Sequence, residues 1–210
     1  MVFEKRDLFV TDFWEFDFPY HDQLKLQVLD YISSDIIQEY IKQCSLQNPS
    51  TSSYGGHEIT VQDNSISSFL ETQVLKFLKK IEESHDWEEA EWNSFDCWIN
   101  INSKGDFNPP HIHPGQSYSG VYYLFIPDDS GMIHFLDPRN APVFSCPDPK
   151  FKLGKNLYGN LNPYDHRIFS YQPKPGKVVI FPSWLTHYVD PNPTDEHRVS
   201  IAFNVKYGNH

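Results

Sequence analysis

Fourteen of the sixteen prolines in this 210-residue chain lie at Pro109 or beyond, and that asymmetry restricts the fold more than any other feature. Proline lacks a backbone N–H and its ring clashes inside a helix, so the second half is closed to long helices and suited to short strands joined by turns. Helices are expected before Pro109. The plainest runs from about Ile66 to Glu83, where Ile66, Phe69, Leu70, Val74, Phe77, Leu78 and Ile81 recur at helical spacing. Ser68 with Glu71 would form a capping box near its start. Upstream, Leu24, Val28, Tyr31 and Ile32, then Ile36, Ile37, Tyr40 and Ile41, mark two shorter amphipathic stretches. They are broken around Ser33-Ser34-Asp35, where a new N-cap fits.

From Phe95 the pattern shortens to β-rich runs bounded by turn residues: Phe95 to Asn102, Gly120 to Ile126, Met132 to Leu136, Ile168 to Gln172, Lys177 to Phe181 and Arg198 to Tyr207. Many short strands with Pro/Gly turns predict a sandwich, jelly roll or barrel. The last run is two-faced. Arg198, Ser200, Ala202 and Asn204 are polar or small, whereas Val199, Ile201, Phe203 and Val205 are large and apolar. Side chains alternate across a strand, so the apolar set should meet helices or an opposing sheet, and Arg198 and Ser200 should line a cavity. Trp98, Asn100 and Asn102 alternate in the same way with Cys97, Ile99 and Ile101. Ser50-Thr51-Ser52-Ser53 reads as an exposed loop, and no repeat or long linker calls for a second domain.

Composition narrows the function. A formal net charge of -11, with no cluster of Lys and Arg, argues against nucleic acid, whose binding depends on released counterions. Cys44, Cys97 and Cys146 are odd in number and lack paired zinc spacing, which predicts reduced thiols. The opening Met1-Val2-Phe3-Glu4-Lys5-Arg6-Asp7 carries charges where a signal peptide needs an apolar run, and no stretch is long and apolar enough for a bilayer. The expectation is a soluble cytoplasmic protein whose charge points to a small-molecule or peptide partner, and an aromatic-rich surface could favour a homodimer.

The chemistry-bearing residues are His111 and His113, separated by one residue, then His187, then Arg198-Val199-Ser200. Two residues apart on an extended strand share a face, so His111 and His113 can address one point and His187 can supply a third metal ligand. With ten histidines in 210 residues, one His-x-His arises by chance about half the time. Loop histidines after Pro109-Pro110 remain an even alternative for the pair, and a crevice beside Trp184 and Tyr188 is the plainer reading of His187 taken alone. Order along the chain shifts the balance. An inward Arg198 needs an anion, because an unpaired buried charge is too costly, and its planar fork with the Ser200 hydroxyl suits a carboxylate.

The order His-x-His, Ser-Gly-Val-Tyr-Tyr-Leu, Gly131-Met-Ile-His-Phe-Leu-Asp-Pro-Arg139, Pro-Gly-x-x-x-x-Phe-Pro-Ser, His187 and Arg-x-Ser resembles the 2-oxoglutarate/Fe(II)-dependent dioxygenases. More narrowly it is similar to a bacterial and phage group carrying His-x-His-Pro. The likeness covers roughly Trp98 to Val205. It implies a mainly β fold, a double-stranded β-helix (cupin-like jelly roll, about 94–207) supported by N-terminal helices (about 20–90) in one domain over 1–210. It implies a non-haem oxidoreductase with Fe(II) on His111, His113 and His187, the far carboxylate of 2-oxoglutarate on Arg198 and Ser200, and O2 as oxidant. Succinate and CO2 would leave as a peptide side chain or small metabolite is hydroxylated. Asn100 and Tyr123 are assigned to the cosubstrate pocket, with Trp98, Asn102 and Trp184 as further wall candidates. For each of these taken singly, a core aromatic or strand-end amide is at least as good a reading.

Most members of that superfamily carry Asp or Glu where His113 stands. This sequence offers three imidazoles unless Asp106, Asp137 or Asp190 joins them, and trihistidine cupin dioxygenases resemble such a site. A cupin taking no 2-oxoglutarate and a non-catalytic jelly-roll module are the competing readings; Arg198-x-Ser200 weighs against the first and the three histidines against the second. A rim with Phe107, Tyr118 and Tyr188 would suit a basic or apolar peptide side chain and a small metabolite equally.

Overall fold

The computed structural model describes residues 10–35, 57–60, 64–85, 92–138 and 168–208. In chain order its elements are β1 (Trp14–Asp17), α1 (His21–Ser33), β2 (His57–Thr60), α2 (Asn64–His85), β3 (Trp92–Asn102) and β4 (Asn108–His111). Then follow β5 (Tyr118–Phe125), β6 (Ile133–Leu136), β7 (Ile168–Tyr171), β8 (Lys177–Pro182), β9 (His187–Val189) and β10 (Arg198–Tyr207). Among the described residues the strands form a six-stranded sheet ordered β1-β8-β5-β10-β3-β2 and a four-stranded sheet ordered β4-β9-β6-β7. All pairs are antiparallel. This is the expected jelly roll, a double-stranded β-helix with its helices on one outer face.

Strand β10 organises it. Val199, Ile201, Phe203 and Val205 join one core with Leu24 and Val28 of α1 and Ile66, Leu70, Val74, Leu78 and Ile81 of α2. Burying each such side chain stabilises the fold by about 1.5–3 kcal/mol. Its other face is buried too: Arg198, Ser200, Ala202 and Asn204 all lie inside, toward the smaller sheet. That interior is filled by a second core of Tyr123, Ile126, Ile133, Phe135, Val179, Phe181 and Leu185. A strand buried on both faces must alternate in kind rather than in exposure.

The helices match their expected residues with one correction. α2 begins at Asn64, so Ser68 lies inside it and its carbonyl accepts the Thr72 hydroxyl at 2.7 Å. Ile66 is already 1% exposed, and placing it in the core requires helix ahead of it; no capping box forms at Ser68. α1 ends where expected, with Ser34 extended (φ -63°, ψ 146°) and its hydroxyl donating to the Tyr31 carbonyl at 2.8 Å. Ile36, Ile37, Tyr40, Ile41, Ser50 to Ser53, Cys44, Cys146 and Arg139 lie outside the described residues. Cys97 is buried and free. No helix among the described residues is long and apolar enough to cross a membrane.

β1 was not expected. Its Phe16 stacks on Phe77 of α2 at 4.1 Å, which clasps the sheet edge to the helix.

Gly120 sits mid-strand in β5, opposite Phe203 and Ile180. A Cβ there would strike the Phe203 ring and come within 2.6 Å of the Val179 carbonyl oxygen. Gly120→Ala should therefore cost about 1–3 kcal/mol through overpacking, measured as a lower midpoint in denaturant. An unchanged midpoint would show that Phe203 has room to move.

Candidate metal centre

Backbone pairing brings the histidines together. β4 and β9 are antiparallel neighbours with His111 directly opposite His187. The β4 register is irregular between Asn108 and His111, where Pro109 and Pro110 withhold two N–H donors; the edge of a sheet tolerates this. His113 lies two residues beyond β4 and is held by its own N–H, which donates to the Ser183 carbonyl at 2.9 Å. One nitrogen from each of His111, His113 and His187 lies within 4.8 Å of the others.

Ring orientation is fixed from behind. His111 Nδ1 lies 2.7 Å from the Pro109 carbonyl oxygen and His187 Nδ1 lies 2.9 Å from that of Leu185. A carbonyl only accepts, so each Nδ1 carries the proton and each Nε2 keeps a lone pair. Metal-binding imidazoles are held in this way. Phe181 packs edge-on against His187 at 4.7 Å, and Trp98 stacks on His113 at 5.9 Å. Burial chiefly, with the charge of His111 second, lowers His187 to about 3. The same two effects lower His113 to about 4, partly offset by a hydrogen bond to Asn204. Both imidazoles are neutral and available as donors at neutral pH.

No carboxylate joins the cluster among the described residues. Asp190 Oδ2 instead accepts His134 Nε2 at 2.8 Å, and Asp106 Oδ2 accepts the Ser103 N–H at 2.8 Å. Asp137 is likewise outside the cluster. A set of three imidazole nitrogens suits a divalent transition ion.

The anion pocket is built on β10. Arg198 pairs with Asn102, and Ser200 lies between Asn100 and Tyr123, so these residues share the inner face. Arg198 is 3% exposed. Its Nη1 donates to the Ser130 carbonyl at 2.6 Å and weakly to that of Asp190 at 3.3 Å, while Nη2 is buried with no partner. The Tyr123 hydroxyl is buried with no partner as well, and burial pushes its pKa up, so it stays a donor. Gly131 makes the seat fit. Its φ of 96° suits glycine, and a Cβ there would lie 3.0 Å from Arg198 Nη1.

Sequence reading missed two supports. Asn204 takes the Ser119 hydroxyl at 2.8 Å and donates to Asp96 at 3.1 Å, tying β10 to β5 and β3, and its hydrogen bond to His113 reaches the metal-centre loop. His134, between Asp190 and the Ser170 hydroxyl at 2.8 Å, holds the segment whose carbonyl meets Arg198. The alternation of β10 offered a signal for Asn204; His134 offered none. Tyr188 is no rim residue: it alternates with His187 and stacks on His134 at 4.6 Å. Trp184, 54% exposed, stands clear of the triad's inner wall.

A sequence model of the family described as "Putative 2OG-Fe(II) oxygenase" matches residues 96–204. The fold is similar to a Pseudomonas putida prolyl-4-hydroxylase (12% identity, TM-score 0.55, 95% of this chain and 94% of that one). It is similar to a Trichoplax adhaerens prolyl hydroxylase solved with a hypoxia inducible factor peptide fragment (12%, TM-score 0.56, 92% and 83%). The chain spans 47% of the length of an oxidoreductase of the 2OG-Fe(II) oxygenase family from Burkholderia pseudomallei, at 18% identity, TM-score 0.40 and 57% of this chain. No curated protein matches it in sequence.

The lowered histidines set an acid limit. Unfolded, His113 and His187 regain values near 6.5, so below that pH the unfolded chain takes up protons that the folded chain refuses, and stability falls as pH falls toward 3–4. Chelator-treated protein should lose denaturant resistance between about pH 7.5 and about pH 5.5, and His187→Gln should lose less. An equal loss in the variant would refute this.

Proposed function

This chain belongs to the 2OG-Fe(II) oxygenase family, and we propose that it is a hydroxylase in which His111, His113 and His187 hold Fe(II) while Arg198 and Ser200 seat the far carboxylate of 2-oxoglutarate. The family uses Fe(II), 2-oxoglutarate and O2. Bound here, they supply a coupled oxidation: decarboxylation to succinate and CO2, with oxygen delivered to a substrate C–H bond. One observation carries the assignment. A guanidinium 3% exposed keeps a donor without a partner on the inner face of β10, and three imidazoles converge on the smaller sheet.

The roles of the chain's own groups follow. His111 and His187 each donate Nδ1–H to a carbonyl, which aims Nε2 inward and fixes the tautomer. Arg198 Nη2 and the Tyr123 hydroxyl are donors aimed at carboxylate oxygens, and the always-charged guanidinium orients a dianion. Asn100 and Ser200 complete that wall. Phe135, Phe181 and Val179, all at most 3% exposed, exclude water between the sheets, which strengthens each polar contact inside. A peptide side chain is the favoured substrate. The fold shared with a prolyl hydroxylase that was solved with a peptide supports this, and a small metabolite is the second option.

Anaerobic addition of Fe(II) and then 2-oxoglutarate should produce a visible charge-transfer band that requires both. His187→Ala should abolish it. Arg198→Ala should leave Fe(II) bound and weaken 2-oxoglutarate by roughly 100-fold or more, the scale of a lost buried charge-assisted contact. Bound metal with no band, or full 2-oxoglutarate affinity in Arg198→Ala, would overturn the reading.

A further inference from the structure

One unassigned opening lies outside the space between the sheets. A cleft of about 430 Å³ runs between the last turn of α2 and the ends of β5, β8 and β10, roofed by the segment leading into β1. Its walls are aromatic. Trp14 meets Tyr118 edge-on at 5.3 Å and Trp92 meets Tyr207 edge-on at 5.1 Å, with Trp184 across the mouth. Trp184 and Tyr207 are 54% and 44% exposed, so the cleft is open to a ligand.

Its charge is of one sign. Among the described residues, Asp12 and Glu82 line it and no Lys, Arg or His does. Burial first, then the charges of Asp12, Tyr207 and Glu82, push the Tyr118 phenol up. Ring faces beside carboxylates attract a cation with an apolar stem: the rings cover the methylenes while the quadrupole and the carboxylates meet the charge. The volume falls within the range of small ligand pockets and holds one long side chain.

The cleft adjoins the metal centre through the backbone. Ser117, Pro182 and Trp184 line it; Ser183 N–H donates to the Ser117 carbonyl at 3.1 Å, and the Ser183 carbonyl accepts the His113 N–H at 2.9 Å. A chain seated in the cleft therefore passes the loop that carries His113.

We propose that this cleft binds the side chain of a lysine or arginine in a peptide or protein substrate, docking a basic residue close in sequence to the one presented to the metal centre. The substrate role rests on the oxygenase reading above; the cation site does not.

The test is tryptophan fluorescence titration of the Fe(II)- and 2-oxoglutarate-loaded protein with Nα-acetyl-arginine methylamide, its lysine counterpart and the neutral norleucine analogue. The basic ligands should bind at least tenfold more tightly than norleucine. Asp12→Asn and Trp184→Ala should each weaken them fivefold or more while the charge-transfer band is kept. Lys- or Arg-containing peptides should then raise succinate formation above that with norleucine-substituted copies. Equal binding of norleucine, or unchanged affinity in Trp184→Ala, overturns the cation site and leaves the oxygenase standing. Tight basic ligands with no gain in turnover overturn the substrate role. Absence of the band with basic ligands still bound overturns the oxygenase reading alone.

Discussion

Everything in this molecule depends on the two-sided pairing of β10. The strand is hydrogen-bonded to β3 on one edge and β5 on the other, with Ser200 held between Asn100 and Tyr123. A slip of one residue would turn Arg198 and Ser200 toward the helices and Val199 and Ile201 into the polar cavity. Apolar packing of Val199, Ile201, Phe203 and Val205 against α1 and α2 therefore does more than stabilise. It sets the register that points a guanidinium inward, and hydrophobic burial outside the barrel becomes chemistry inside it.

The smaller sheet solves the complementary problem. Two histidines placed opposite each other by β4 and β9 need no loop to find one another; the third arrives through a single backbone hydrogen bond to Ser183. The all-imidazole cluster departs from the two-histidine, one-carboxylate pattern of most of the superfamily, and the structure shows where two of the candidate acids are spent. Asp190 and Asp106 brace loops. Asp190 accepts from both His134 and the Met132 N–H, so freeing it for a metal would strand a buried imidazole.

Legibility followed length and periodicity. α2 and β10 each repeat a pattern often enough to be read directly, and β10 revealed both its faces because apolar and polar residues alternate without a break. β1, β2 and β9 are only four, four and three residues long; such segments are strands because a neighbour offers an edge, a tertiary fact that local sequence does not encode. The site divides the same way. His111, His113, His187 and Arg198 were readable by type and order, whereas the engagement of Asp190 with His134 and the outward turn of Tyr188 depend on which face each strand presents. Ser68 and Glu71 illustrate the converse error, a valid local signal overridden because burial of Ile66 demands an earlier helix start.

The unpartnered donors of Arg198 and Tyr123 also bear on how the protein lives in a cell. Burying such donors costs the folded state free energy, and an anion that satisfies them binds that state and not the unfolded chain. Folded population then rises with ligand as RT ln(1 + [L]/Kd). If Arg198 seats the far carboxylate of 2-oxoglutarate as proposed, the pocket couples the lifetime of the protein to the supply of that acid.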